Sequence, residues 1–433
     1  MFAHALSRRL DRHGIHYAWL VALVTFCVML TTAAALGLPG AFLKPLTREM
    51  GWNTDQISSI LAFRFALFGL MAPFSAVLME RFGVRNIVCA ALALIAGGMA
   101  LATVATTLWE LFIAWGLMLG IGSGMTALVL AAVVANRWFS ARRGLVIGLL
   151  TASSATGQLA FLPVAAWLIE HMGWRVAVLP VLCACAVLAL LVFAVMRNRP
   201  SDLGRLPFGE SQTTAAAAAA PAAAPAPLTL RGPFVVLADA MRNRMFWVLA
   251  GTFFICGLST NGLIQTHFIA LCGDYGMGPV PAASALAMMG AFDFVGTILS
   301  GWLSDRYDSR KLLFWYYALR GLSLFWLPHS TFTLYGLSIF AMFYGLDWIA
   351  TVPPTVKLAA SAFGRERAPM VFGWVFAAHQ IGAATAAFGA GLSRTLLLTY
   401  APALYVAGGA CLIAALLALG ARRIGAAPQA AKA

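Results

Sequence analysis

The chain has 433 residues, of which 61% are hydrophobic and only 10% charged, and its mean hydropathy is +0.86. Soluble domains run near half apolar and a quarter charged, so a water-soluble fold is excluded. A net charge of +14 would raise nucleic acid as a partner for a soluble protein, and that reading waits on where the charges sit.

Continuous apolar runs such as 18–42 and 87–105 lack the alternation of membrane β-strands, so helices remain as the spanning element. Charged and Gly/Pro-containing breaks place helices at about 17–42, 55–79, 85–106, 108–135, 144–169 and 173–196. A second set falls at about 245–272, 281–304, 311–328, 332–360, 368–393 and 400–420. The first run is too long and too late for a cleavable signal. The expected fold is an all-α polytopic membrane protein, twelve transmembrane helices in two six-helix bundles. The bundles cover 1–196 and 245–421, joined by a linker at 197–244 that holds the Ala/Pro stretch Thr213–Pro227, with a short tail at 422–433.

Of the 29 basic residues, 22 fall on the termini and the even-numbered breaks, and four (Lys44, Arg48, Arg175, Arg394) on the other side. This asymmetry predicts both termini and the linker in the cytoplasm. The high charge is then a topological signal; contact with anionic lipid is compatible with it and no nucleic-acid partner is required. Arginine makes up 25 of the 29, which with the abundant alanine points to a GC-rich bacterial genome and hence to a bacterial inner membrane. The seven cysteines lie almost entirely in apolar runs without ligand spacing. No cofactor, metal site or enzyme motif is expected, and a monomer is expected.

The loop after helix 2 reads AVLMERFGVR (Ala76–Arg85) and the loop after helix 8 reads GWLSDRYDSR (Gly301–Arg310), 225 positions later. FSARRGLVIG from Phe139 and FGRERAPMVFG from Phe363 repeat at an offset of 224. Two matches at nearly one offset indicate a duplicated six-helix unit, parallel because each copy has an even number of helices.

These loops resemble the signature G-x-L-x-D-R-x-G-x-[RK] of the major facilitator superfamily, with Ala76 and Glu80 replacing Gly and Asp in the first copy. The resemblance implies a conformational latch of Glu80, Arg81, Arg85, Arg142, Arg143, Asp305, Arg306, Arg310, Arg365 and Arg367 that pairs in one state and releases in another. Gly40–Ile60, Asn136–Gly148, Pro163 and Gly173–Arg175 are similar to the monocarboxylate transporter family and bacterial oxalate/formate exchangers. Ala291–Arg306 resembles helix 8 of the monocarboxylate carriers, with Asp293 on their functional aspartate. Thr297 stands where they have a substrate arginine, and Gly40 near their helix-1 lysine. Gly116 replaces the arginine that drug/proton antiporters carry, which argues against drug efflux.

Five ionisable residues fall inside spans, where each costs about 2.5–3.5 kcal/mol and marks a functional candidate: Arg64, Asp293, Arg320, Asp347 and Lys357. At about 1.5 Å per residue, Asp293, Arg320 and Asp347 lie roughly 15–21 Å deep. They are expected to form a midplane charge network that couples to protons, with a static salt bridge between helices 8, 9 and 10 as the alternative. Arg64 is the candidate contact for an anionic substrate, with a gate between helices 2 and 11 or snorkelling as the alternatives, and Lys357 is expected to snorkel. Asn261 and Gln265, four apart on helix 7, are expected to share a cavity wall, with His267 as an outer-gate residue. His379 and Gln380 are candidates on helix 11. Tyr344 is placed to hydrogen-bond Asp347, and Pro353 and Pro354 to act as a hinge. The expectation is a secondary transporter working by alternating access, taking up a small monocarboxylate-like anion with protons. Organic-anion exchange or efflux of an amphipathic compound is the second reading, and a transporter-like sensor a remote one.

Overall fold

The structure is a computed structural model that describes residues 2–210, 231–364 and 367–420. Twelve long helical segments run through it: α1 (Tyr17–Met50), α2 (Thr54–Phe82), α3 (Val84–Val104), α4 (Leu108–Trp138), α5 (Arg143–Ala160, resuming at Leu162–Met172) and α6 (Trp174–Val195), followed by α7 (Arg244–Asp274), α8 (Pro279–Arg306), α9 (Ser309–Trp326), α10 (Ser338–Phe363), α11 (Ala368–Leu397) and α12 (Ala401–Gly420). Among the described residues ten are long and apolar enough to cross a bilayer. The remaining two are α5, interrupted at Phe161 just before Pro163, and α9, which carries Arg310, Lys311 and Arg320. Exposed leucines and valines such as Leu23, Val104, Leu190 and Leu416 coat the outside, as lipid requires.

The duplication inferred from the loops is visible in the packing. In the first six helices α1 packs on α5, α3 on α6 and α2 on α4; the same three pairings recur as α7 on α11, α9 on α12 and α8 on α10. Contacts between the sets are equally symmetric, α2 against α11 and α5 against α8. Small residues permit the closest approaches. A Cβ on Gly40 would lie 2.6 Å from the Gln265 carbonyl oxygen, so α1 meets α7 here and a lysine side chain has no room.

Four of the described helices depart from plain α geometry; in α4 the departure is a π-helical stretch, Phe112–Leu119. α1 tightens at Leu38–Phe42 and continues to Met50, so Lys44 and Arg48 sit on its end rather than in a loop. α7 contains a π-helical stretch, Leu258–Gln265, in which the Thr266 hydroxyl donates to the Asn261 carbonyl at 2.8 Å. α10 is broken: regular helix stops at Asp347 and resumes at Val352, ahead of Pro353 and Pro354.

The linker expected at 197–244 is partly built. Phe208 pairs with the α4–α5 connection through its N–H to the Trp138 carbonyl at 2.8 Å, and Arg205 binds Asp11 of the amphipathic helix Phe2–Arg12. Gly232–Met241 is a helix whose Phe234 ring lies 5.2 Å from Phe74 and 5.9 Å from Trp374, touching both sets. The Ala/Pro stretch and the 422–433 tail lie outside the described residues.

Candidate functional site

The two ends of the molecule differ. At the end opposite the basic loops the sets are tied together: Lys44 Nζ of α1 lies 3.0 Å from Asp274 Oδ1 of α7, whose other oxygen takes Arg394 Nε of α11 at 2.7 Å. Thr395 donates to Asp55 across the α2–α11 seam at 2.9 Å. At the basic end the expected latch residues, where described, pair within their own set or with the linker. Glu80 binds Arg137, and Arg199 at 2.8 Å; Arg310 binds Asp308 at 2.6 Å; and Arg367 binds Asp239 at 3.4 Å. Arg81 lies over Phe82 and Arg306 over Trp302, while Arg85 takes the Asn198 side-chain oxygen on its backbone N–H and lies over Phe193. Arg143 donates to the Phe139 carbonyl, Arg142 turns the chain at φ 61°, and Asp305 is exposed. Arg365 lies outside the described residues. The bridge between the sets is therefore at the Lys44–Asp274 end, a pairing that the motif did not reveal.

Between the sets lies a cavity of about 80 Å³ walled by α2, α4, α5, α7, α10 and α11. Of the residues singled out from sequence, Asn261, His379 and Gln380 line it. His379 Nδ1 meets the Phe253 carbonyl at 3.2 Å, and the Gln380 side-chain oxygen is buried without a partner. The other wall residues went unread, among them Phe68, Thr151, Ser154, Thr260, Trp348, Phe372 and Phe376. In sequence they are indistinguishable from lipid-facing or packing residues.

Gln265 and His267 are not in this cavity. Both Asn261 and Gln265 belong to the π-helical stretch, yet only Asn261 reaches the cavity. The Gln265 amide is buried and unpartnered near α1, while His267 Nε2 meets the Ala387 carbonyl at 2.8 Å and its ring lies 5.2 Å from Tyr400.

The midplane charges divide into two sites instead of one network. Arg320 is saturated: Nε donates to Asp347 Oδ2 at 2.7 Å, Nη1 to Cys256 Sγ at 3.0 Å, and Nη2 to the carbonyls of Asp347 and Trp348. Its guanidinium is fully enclosed; of the static salt bridge between helices 8, 9 and 10 named as the alternative, the structure holds the pair between helices 9 and 10 and leaves Asp293 of helix 8 outside it. Asp293 lies apart, accepting from Thr297 Oγ1 at 3.1 Å and from the Ile349 N–H at 2.8 Å. Arg320 and Asp293 thus grip the broken part of α10 from two sides, each satisfying backbone groups that the break frees. Tyr344 does not meet Asp347; its hydroxyl donates to the Ser259 carbonyl at 2.7 Å and ties α10 to α7. Lys357 does not snorkel freely but donates to the Ser304 carbonyl near the end of α8, where a cation is favoured.

Arg64 is the exception among the buried charges. It is 1% exposed, Nε and Nη1 have no hydrogen-bond partner, and its nearest described neighbour of note is the Phe65 ring, 4.6 Å from the guanidinium carbon. It stands one turn along α2 from Phe68, on the face that lines the cavity farther toward the basic end. Among the described residues no group of three or more metal-ligating side chains forms.

Twelve helices in two matching sets, closed at one end around a central cavity, define a membrane carrier rather than a pore or a solenoid. The model of the Major Facilitator Superfamily matches residues 21–387, and the chain belongs to that family; it is a transporter of multi-pass type. It is 28% identical over 396 residues to Monocarboxylate transporter 13 of Bos taurus, covering 90% of this chain and 86% of that protein. It is 24% identical over 384 residues to the uncharacterized MFS-type transporter YcxA of Bacillus subtilis (86% and 88%), and 25% identical over 358 residues to MFS-type transporter hasB of Aspergillus fumigatus (80% and 76%).

Proposed function

We propose that this chain is a secondary carrier of the bacterial cytoplasmic membrane that takes up a small monocarboxylate-like anion together with protons. It acts as a monomer with both termini in the cytoplasm. The basic end is then cytoplasmic, and the ion pairs around Asp274 make the state described here closed to the outside. The observation that carries the reading is Arg64, a buried guanidinium with two unpartnered nitrogens and no carboxylate bound to it. An unpaired buried charge is costly, and an anionic substrate is the partner that would relieve it. The similarity to monocarboxylate transporters points to the same substrate charge. Asp293 is the proton site: its carboxylate is held only by a hydroxyl and a backbone N–H, whereas Asp347 is committed to Arg320.

Uptake of labelled monocarboxylates into proteoliposomes, with and without an inward proton gradient, tests this. Gradient-driven accumulation is expected, and Arg64→Gln is expected to raise KM by about 10- to 100-fold, as loss of charge-assisted hydrogen bonds does. Unchanged affinity in Arg64→Gln would remove the anion site.

A further inference from the structure

We infer that the preferred substrates are aromatic carboxylic acids, the ring seated in the central cavity and the carboxylate directed to Arg64; this rests on the anion-carrier reading above. Among the described residues the cavity wall carries no Lys, Arg, Asp or Glu. Recognition there has to come from shape, apolar contact and neutral polar groups such as Thr260, Asn261 and Gln380. The wall instead holds an unbroken run of rings from both sets of helices. Phe68 of α2 meets Phe376 of α11 edge-on, centroids 5.5 Å apart at 85°. Phe376 stacks on His379 at 5.8 Å, His379 lies 4.9 Å from Phe253, and Phe253 lies 5.6 Å from Phe372. Trp348, on the broken part of α10, lines the same space.

Aromatic groups favour edge-on and offset contacts with one another at centroid distances of about 4.5–7 Å, so such a wall selects a planar ring over an aliphatic chain of equal size. A two- or three-carbon acid has no ring face to offer and gains nothing from these contacts. The spacing fits. Arg64 is one turn beyond Phe68, a rise of about 6 Å along α2. An aryl ring level with Phe68, its carboxylate and one charge-assisted N–H···O bond of about 2.8 Å together span that distance. Phe68 and Phe376 belong to different sets, so the ring would be held on the seam along which the sets rock.

The test uses the full chain in proteoliposomes with an inward proton gradient, and compares benzoate and phenylacetate with acetate, lactate and pyruvate as labelled substrates and as competitors. The aromatic acids are expected to compete at concentrations about tenfold lower. Phe376→Leu is expected to lose most of that preference while still carrying acid. If lactate or pyruvate enters and the aromatic acids neither enter nor compete, the aromatic assignment is overturned and the anion carrier stands. If no acid of either kind enters, both are overturned. The wild-type competition decides the matter even where Phe376→Leu does not fold.

Discussion

Arg64 and Arg320 have the same chemistry and comparable depth, yet opposite surroundings. Arg320 spends every nitrogen on Asp347, Cys256 and two carbonyls, while Arg64 retains two bare donors. Removing one partner of a buried pair leaves an uncompensated charge, at a cost of about 3–5 kcal/mol. Asp347→Asn is therefore expected to lower the thermal stability of the detergent-solubilised protein strongly, and Arg320→Gln combined with it to recover part of the loss. Equal melting temperatures for wild type and Asp347→Asn would contradict the pairing. Asp293 should behave differently. Asp293→Asn keeps an acceptor for the Ile349 N–H, so the fold is expected to survive and substrate counterflow to continue, while the response to a proton gradient disappears. A variant that still accumulates substrate in response to the gradient would move the proton site elsewhere. That these residues are buried charges was legible from their placement in apolar runs. Which of them neutralise one another was not, because Arg320 and Asp347 lie 27 residues apart on different helices.

At the scale of the helix, boundaries were legible where hydropathy changes sharply and obscure where geometry changes inside an apolar stretch. The π-helical stretch of α7 leaves no compositional trace, yet one added residue rotates everything beyond it by about 100°. The break in α10 was anticipated at Pro353 and Pro354, but the irregular residues precede them, at 348–351, held by Arg320 and Asp293. Gly40 has a packing role that its sequence neighbours do not disclose. A methyl at Gly40 would press on the carbonyls of Gln265 and Thr266, 2.6 and 2.9 Å away. Gly40→Ala is expected to push α1 from α7 and to raise alkylation from outside of a cysteine introduced at Asn261. Labelling unchanged from the Gly40 parent would show that this approach does not seal the outer end.

For the whole molecule, the closed end depends on few charges: Lys44 and Asp274 are partly exposed, and a pair of that kind contributes about 0.2–1 kcal/mol. Asp274→Asn is thus expected to raise the outward-open population by about 1.4- to 5-fold, read as outside labelling of the same cysteine, and Lys44→Gln added to it to produce little more. Full additivity of the two would contradict direct pairing. The amino-acid sequence by itself determined that the chain lives in lipid, that it crosses many times, that six helices are duplicated and which superfamily it joins. Those properties are written in local hydropathy and in loop motifs that repeat at a fixed offset, and both survive any rearrangement of the helices. Only the tertiary structure decided which buried groups form the cavity, which charges cancel and which end is shut. Each depends on the rotation of one helix against another far away in the chain, and a π-helical stretch or a glycine contact resets that rotation without altering the composition that hydropathy reads.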